Sequence, residues 1–162
     1  MNLITTDRLE IRRFRQADKE EYAKIMTNPD VYKYLGDGKG VDVETAQKMV
    51  TFFSFSLGIF AVVEKESGKL IGHCGIRPIP DGRIELLYAY DTDAWGKGYG
   101  TEAAKAVLEY GRENFEIDEL IGMAYSENPG SIGVMKKLGF KSIGEEEHFG
   151  KMLEVFSFAM KK

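Results

Sequence analysis

Trp95-Gly96-Lys97-Gly98-Tyr99-Gly100-Thr101-Glu102-Ala103-Ala104 sets three glycines at alternate positions directly before a strongly helical segment. A glycine has no Cβ to block close approach, and it adopts positive φ cheaply. The first turn of the helix that follows carries unpaired N–H donors and the positive end of the macrodipole. Together these features make an anion site. Each N–H bond to a charged oxygen is worth ~1.5–3 kcal/mol, so about three or four of them hold a pyrophosphate without any side chain. The competing reading is a glycine-rich turn that caps an ordinary helix.

Spacing excludes two common phosphate loops. A Walker loop needs G-x-x-x-x-G-K-[ST], and the chain has no such string. A dinucleotide loop needs G-x-G-x-x-G, and counting from Gly96 the last position is Thr101. That loop also belongs near a first strand, whereas these glycines follow residue 90.

Working outward, Ile84-Glu85-Leu86-Leu87-Tyr88-Ala89-Tyr90 before the loop reads as a strand. Glu119-Leu120-Ile121-Gly122-Met123-Ala124-Tyr125 after the helix reads as another. Asn128-Pro129-Gly130-Ser131 follows, then Val134-Met135-Lys136-Lys137-Leu138-Gly139-Phe140. This order resembles the GNAT acetyltransferase superfamily over about residues 5 to 160. The opening Thr6-Asp7-Arg8-Leu9-Glu10-Ile11-Arg12 resembles the branch that includes ribosomal-protein N-terminal acetyltransferases. The resemblance implies an α/β (α+β) fold, with a mixed, mostly antiparallel sheet of about seven strands flanked by about four helices. It also implies acetyl-CoA as co-substrate and an amine as acceptor, either a peptide N-terminus or a small molecule.

Composition agrees with that class. At 162 residues the chain is expected to be one domain, residues 1–162. Hydrophobic residues make up 43%, enough for a core, and 30% are charged. The net charge of −4 argues against nucleic acid, which calls for a basic stripe. The single cysteine, Cys74, forms no intrachain disulfide and reads as a buried, inert thiol. No long apolar span and no signal-like start are present, so no membrane partner and a cytoplasmic location are expected. His73 and His148 lie far apart, and no metal site is expected. A monomer or a homodimer fits the resemblance equally well.

Periodicity places the other elements. Leu9, Ile11 and Phe14 suggest a first strand, and residues 18–27 a helix broken by Asn28-Pro29-Asp30. Residues 41–57 read as a second helix with the stripe Ala46, Met49, Val50, Phe53 and Leu57, ended by Gly58. Phe52 and Phe55 fall off that stripe, as extra core or as lining of an acceptor pocket. Strands follow over 59–64, 70–77 and 84–90, then a helix over 101–115. Its face of Ala103, Val107, Gly111 and Phe115 implies close packing on a sheet, with Glu102 on the solvent side. A strand, a helix over 129–138 and two more strands complete the chain.

Acetyl transfer from a thioester to an amine needs an anchored donor, an oxyanion donor, a neutral amine and a stabilised thiolate. The resemblance assigns the coenzyme A pyrophosphate to the backbone of Trp95, Gly96, Lys97, Gly98, Tyr99, Gly100 and Thr101. Trp95 stands where many relatives carry Arg or Gln, so charge is left to Lys97, Lys136 or Lys137, all equally readable as solvated lysines. The oxyanion contact falls to backbone N–H within Leu87, Tyr88, Ala89 and Tyr90, where a peptide-like pantetheine arm adds to the strand edge. Glu85 is the first candidate base and Glu147 the second, each also readable as an exposed carboxylate. Ser131 is the candidate to stabilise the thiolate, and Asn128 to cap its helix and touch the cofactor. A non-catalytic acyl-CoA-binding module of the same fold is the alternative to an enzyme, and a glycine-looped nucleotide binder of another fold a third reading.

Overall fold

The computed structural model of the protein describes residues 3–161. Its frame is one eight-stranded sheet of order β1-β2-β3-β4-β5-β6-β8-β7. The strands are β1 (Ile4–Thr5), β2 (Leu9–Arg12), β3 (Ile59–Glu64), β4 (Leu70–Pro78), β5 (Ile84–Tyr90), β6 (Glu119–Tyr125), β7 (Lys141–His148) and β8 (Lys151–Ala159). All neighbours are antiparallel except β5 and β6. The helices are α1 (Lys19–Met26), α2 (Pro29–Tyr32), α3 (Val43–Ser54), α4 (Tyr99–Asn114) and α5 (Pro129–Leu138). Among the described residues no helix is long and apolar enough to cross a membrane.

Both faces of the sheet are covered. Tyr22, Ile25, Val50 and Phe53 from α1 and α3 pack with Ala61, Val63 and Ala89 on one face. Ala103, Val107 and Leu108 of α4, with Met135 and Leu138 of α5, pack with Phe60, Val62, Leu86 and Phe156 on the other. The central strands are therefore nearly continuous apolar runs, which is why β3 and β4 stand out so clearly in the sequence. Gly111 lies so close to β4 that a Cβ there would stand 2.8 Å from Ile76 Cδ1. The small residues of α4 do mark close packing.

The expected mixed, mostly antiparallel sheet flanked by helices is present, with two short elements added and two local expectations corrected. The sheet has an eighth strand, β1, whose two residues are too short to register as a periodic pattern. A fifth helix, α2, begins at the Asn28-Pro29 break, because Asn28 caps it and Pro29 has the φ a first turn needs. Helix α3 ends at Ser54, three residues before Leu57, and Gly58 is already in the turn toward β3. Phe52, Phe55 and Leu57 are 70%, 80% and 65% exposed, outside the core. Glu102, assigned to solvent, is tied down instead, as described below.

Helix α3 starts where Asp42 accepts a bond from the Thr45 N–H at 2.7 Å. Asp42→Ala removes this cap and is expected to lower Tm by roughly 2–4 °C in a domain of this size, as read by thermal unfolding.

Candidate active site

The two central strands part company. Strand β5 pairs with β4 along its whole length, from Pro78↔Ile84 to Gly72↔Tyr90. With β6 it shares one register pair, Glu85↔Ile121. Strand β6 stays with β8 as far as Tyr125↔Leu153. Beyond Glu85, Leu87–Tyr90 and Met123–Tyr125 therefore diverge into a wedge. Gly72 lets β4 and β5 approach closely, because a Cβ there would lie 2.0 Å from Ala89 O.

Backbone polarity in the wedge follows from the ladder. The Asp91 N–H donates to Ile71 O at 2.8 Å. Antiparallel alternation then turns the Leu87 and Ala89 backbone toward β4 and the Tyr88 and Tyr90 backbone into the wedge. Tyr90 O already accepts the Trp95 indole N–H at 2.9 Å. Side chains alternate the other way: Leu86 and Tyr90 pack toward α4, while Leu87 and Ala89 pack toward α1 and α3. A single stretch, Leu87 to Tyr90, thus offers amides to a ligand in the wedge and side chains to both layers.

The glycine loop lies at the end of β5. After a 3₁₀ turn at Thr92–Ala94, Gly96 has φ +75° and Gly98 φ +81°. Gly98 is the N-cap of α4. Glu102 N–H is the first to find an acceptor, Gly98 O, at 3.1 Å. The N–H groups of Tyr99, Gly100 and Thr101 precede it and have no acceptor within the helix. Those of Gly96, Lys97 and Gly98 donate to no other backbone carbonyl, and these residues are exposed. The result is a concave run of bare amides at the positive end of a sixteen-residue helix.

The opening Thr6-Asp7-Arg8 segment holds this loop. Glu102 Oε2 accepts Thr6 Oγ1–H at 2.6 Å and Arg8 N–H at 3.0 Å, and Oε1 accepts Arg8 Nε–H at 2.7 Å. Arg8 Nη1 donates to Lys97 O at 2.8 Å, and its guanidinium stacks over the Tyr99 ring at 4.4 Å. Tyr99 OH in turn donates to Glu64 at 2.6 Å. Burial raises the Glu102 pKa, but the bonds from Thr6 and Arg8 outweigh it and hold the carboxyl below the usual glutamate value. Glu102 and Arg8 were both legible as motif letters, yet their partnership spans 94 positions and left no local signal.

On the far side of the wedge, Asn128 caps α5 by accepting Ser131 N–H at 3.3 Å. Ser131 Oγ lies 2.8 Å from Tyr88 OH. Burial pushes the Tyr88 phenol up to about 12. Lys136 and Lys137 are exposed in the last turn of α5, and Lys97 is exposed in the loop.

The two candidate bases do not converge. Glu85 shares its face with Leu87 and Ala89, on the α1–α3 side, and accepts Arg77 Nε–H at 3.0 Å. Glu147 is exposed and stands opposite Met152 in the β7–β8 hairpin. Glu146 stands opposite Leu153, which is also the partner of Tyr125. Its carboxylate takes both Arg83 nitrogens, at 2.7 and 2.8 Å, and lies 3.1 Å from His148 Nε2. The Arg83 bonds, then the His148 contact, hold Glu146 down to about 2. Arg83 thereby ties residues 79–83 to the hairpin, and Tyr125 OH donates to Gly36 O, tying in residues 33–40. The charged run Glu145–Glu147 is therefore partly a clamp, a role its letters do not disclose.

Two buried groups take no part. Burial pushes His73 down to about 3, so it is neutral, and Tyr22 OH is 2.9 Å from its Nδ1. Burial pushes the Cys74 thiol up to about 12, in keeping with an inert core cysteine.

A wedge between a parallel strand pair, closed at one end by a bare-amide helix start, is the arrangement that the resemblance to acetyl-CoA-dependent acyltransferases implies. Residues 8–141 match the acetyltransferase (GNAT) domain family, and the chain belongs to it. It is an N-acetyltransferase of that family, whose members use acetyl-CoA. Among relatives, the N-acetyltransferase p20 of Bacillus licheniformis is 28% identical over 173 residues, covering 100% of this chain and 97% of that protein. A GNAT-family acetyltransferase from Bacillus anthracis superposes with a TM-score of 0.87 at 24% identity, covering 99% of this chain and all of that one. A ribosomal-protein α-N-acetyltransferase solved with coenzyme A superposes at 0.78 and 15% identity, covering 98% of each chain.

Proposed function

We propose that this chain moves an acetyl group from acetyl-CoA to the α-amine of a peptide N-terminus, by direct attack in a ternary complex. The observation that carries this reading is the β5–β6 wedge, with the bare amides of residues 96–101 at one end. In this reading Gly96 to Thr101 hold the pyrophosphate, and the pantetheine arm lies along the Tyr88 and Tyr90 backbone. Asn128 touches the arm near the acetyl group. The Tyr88 N–H supplies the oxyanion contact. The acceptor enters from the α1–α3 mouth, between residues 33–40 and 79–83. Its nitrogen attacks the thioester carbon, the C–S bond breaks, and the electron pair leaves on sulfur beside Ser131. Net proton movement is from nitrogen to sulfur.

The acceptor class rests on proton supply. An α-amine of pKa ~8 is roughly one-tenth neutral at pH 7, whereas a lysine of pKa ~10.4 is neutral about once in a few thousand. Glu85 already accepts from Arg77, and Glu147 faces solvent. An amine that needs far less help than a lysine, the modest help of one carboxylate such as Glu85, suits this site. Likeness in fold to the ribosomal-protein α-N-acetyltransferase supports the same class.

A panel of N-terminal peptides, polyamines, amino acids and aminoglycosides, read by thermal shift and thiol release with acetyl-CoA, tests the proposal. Turnover confined to the peptides is expected. Turnover on another amine class alone overturns the acceptor, and stabilisation without turnover on any class favours the binding-module reading. Glu85→Gln is expected to lower turnover by about tenfold and shift its pH profile, with donor affinity held. An unaltered profile moves the base to Glu147.

A further inference from the structure

Ser131 is a weak acid, and its hydroxyl hydrogen rotates freely unless a neighbour fixes it. The neighbour is Tyr88. The Tyr88 phenol lies 2.8 Å from Ser131 Oγ and 3.4 Å from Ser131 O, and among the described residues it makes no other hydrogen bond. Both acceptors therefore belong to one residue. The phenol sits in a partly buried setting, stacked beside Tyr90 with centroids 6.0 Å apart. Burial keeps it protonated throughout the working pH range. Either hydroxyl can donate in the 2.8 Å contact, and the further approach of the phenol to Ser131 O at 3.4 Å favours a Tyr88 hydrogen directed at Ser131.

That assignment fixes the rest. Ser131 Oγ receives the Tyr88 hydrogen on one lone pair, so its own hydrogen points elsewhere. It finds no acceptor among the described residues, because the bond from Ser131 N–H to Asn128 uses the backbone. Asn128 and Pro129 lock the first turn of α5, so Ser131 cannot turn away by fraying. Tyr88 belongs to the strand that diverges from β6, and Ser131 to the helix that starts just past the end of β6. The pair therefore bridges the two sides of the wedge.

We infer that Tyr88 is a positioning residue that donates to Ser131 Oγ and aims the Ser131 hydroxyl hydrogen at the leaving sulfur of coenzyme A. This rests on the reading above, in which the thioester sulfur lies beside Ser131. No proton leaves either hydroxyl for good. The C–S bond breaks, sulfur carries the electron pair, and the Ser131 O–H stabilises it by a hydrogen bond strengthened by the one from Tyr88. The proton that sulfur finally takes is the one lost by the acceptor amine. The arrangement replaces an acid with an oriented donor.

Coenzyme A itself is the probe, with no acceptor required. The bound thiol is titrated by thiolate absorbance in the wild type and in Tyr88→Phe, Ser131→Ala and the double variant. Protection of each variant by coenzyme A against thermal unfolding establishes that it is folded and loaded. The wild-type complex is expected to titrate below free coenzyme A. Either single change is expected to raise the bound thiol pKa by about one unit, a tenfold loss of thiolate preference, and the double variant to go no further. If Tyr88→Phe titrates like the wild type while Ser131→Ala is raised, the positioning role of Tyr88 is overturned and Ser131 keeps its role. If the two shifts add, the residues act separately and the inference fails. If Ser131→Ala itself titrates like the wild type, the reading beneath the inference falls with it. Ser131→Ala carries the test of the sulfur contact should Tyr88→Phe fail to fold.

Discussion

Gly98→Val is expected to weaken coenzyme A binding at least ~100-fold in calorimetry while the sheet stays folded. Gly98 has φ +81° and ψ +6°, a left-handed conformation at the cap of α4. A β-branched residue there carries about 1–3 kcal/mol of strain and relaxes by moving the backbone. Movement at this point re-aims the N–H groups on either side of it. The new side chain also starts 3.4 Å from Arg8 Nη2, so it disturbs the guanidinium that holds Lys97 O. Losing about two charge-assisted bonds at ~1.5 kcal/mol each already accounts for the expected loss. Gly100 is the internal control. Its φ is not left-handed, and a Cβ there meets Tyr90 and Val134 at ordinary contact distances of 3.5 and 3.6 Å. Gly100→Ala is expected to keep the fold. Full affinity in Gly98→Val would remove the loop from the donor site.

Glu102→Ala is expected to destabilise the protein by about 3 kcal/mol, a fall in Tm of roughly 6–12 °C, and to weaken coenzyme A binding without touching it. Glu102 accepts three bonds, all from the Thr6–Arg8 segment. Truncation frees that segment and leaves Arg8 to repel the positive end of α4. Acid should mimic the mutation. The folded Glu102 pKa lies below the ordinary glutamate value, so the unfolded chain binds the extra proton. The stabilisation is complete above the ordinary glutamate pKa and is lost as pH falls through the depressed folded value. Urea midpoints measured from pH 7 downward should converge for wild type and Glu102→Ala. Parallel curves would place the stabilisation elsewhere.

Legibility in the sequence followed the range of the interactions. Strands 59–64 and 84–90 matched their boundaries because each is an apolar run bounded by turn chemistry. The 3.6-residue period of α4 announced its buried face for the same local reason. The wedge has no such signature. It shows only in the pairing, where β5 follows β4 along its whole length and meets β6 at one register pair. The pairing of Tyr88 with Ser131 spans 43 positions. The misplaced aromatics teach the same point from the other side. Phe52 lies within α3 but off its buried stripe, and Phe55 lies past its end at Ser54, so neither joins the core.

Trp95 gives the molecule a built-in optical gauge. It is the one tryptophan of the chain, so every photon of indole emission has a known origin. Its ring is half exposed, and its N–H is fixed to Tyr90 O at the point where the wedge meets the glycine loop. Occupation of that junction changes the polarity around the ring directly. If the donor binds there as proposed, emission from the unlabelled protein is expected to report its arrival in real time, and stopped-flow traces would separate loading from transfer with no dye attached.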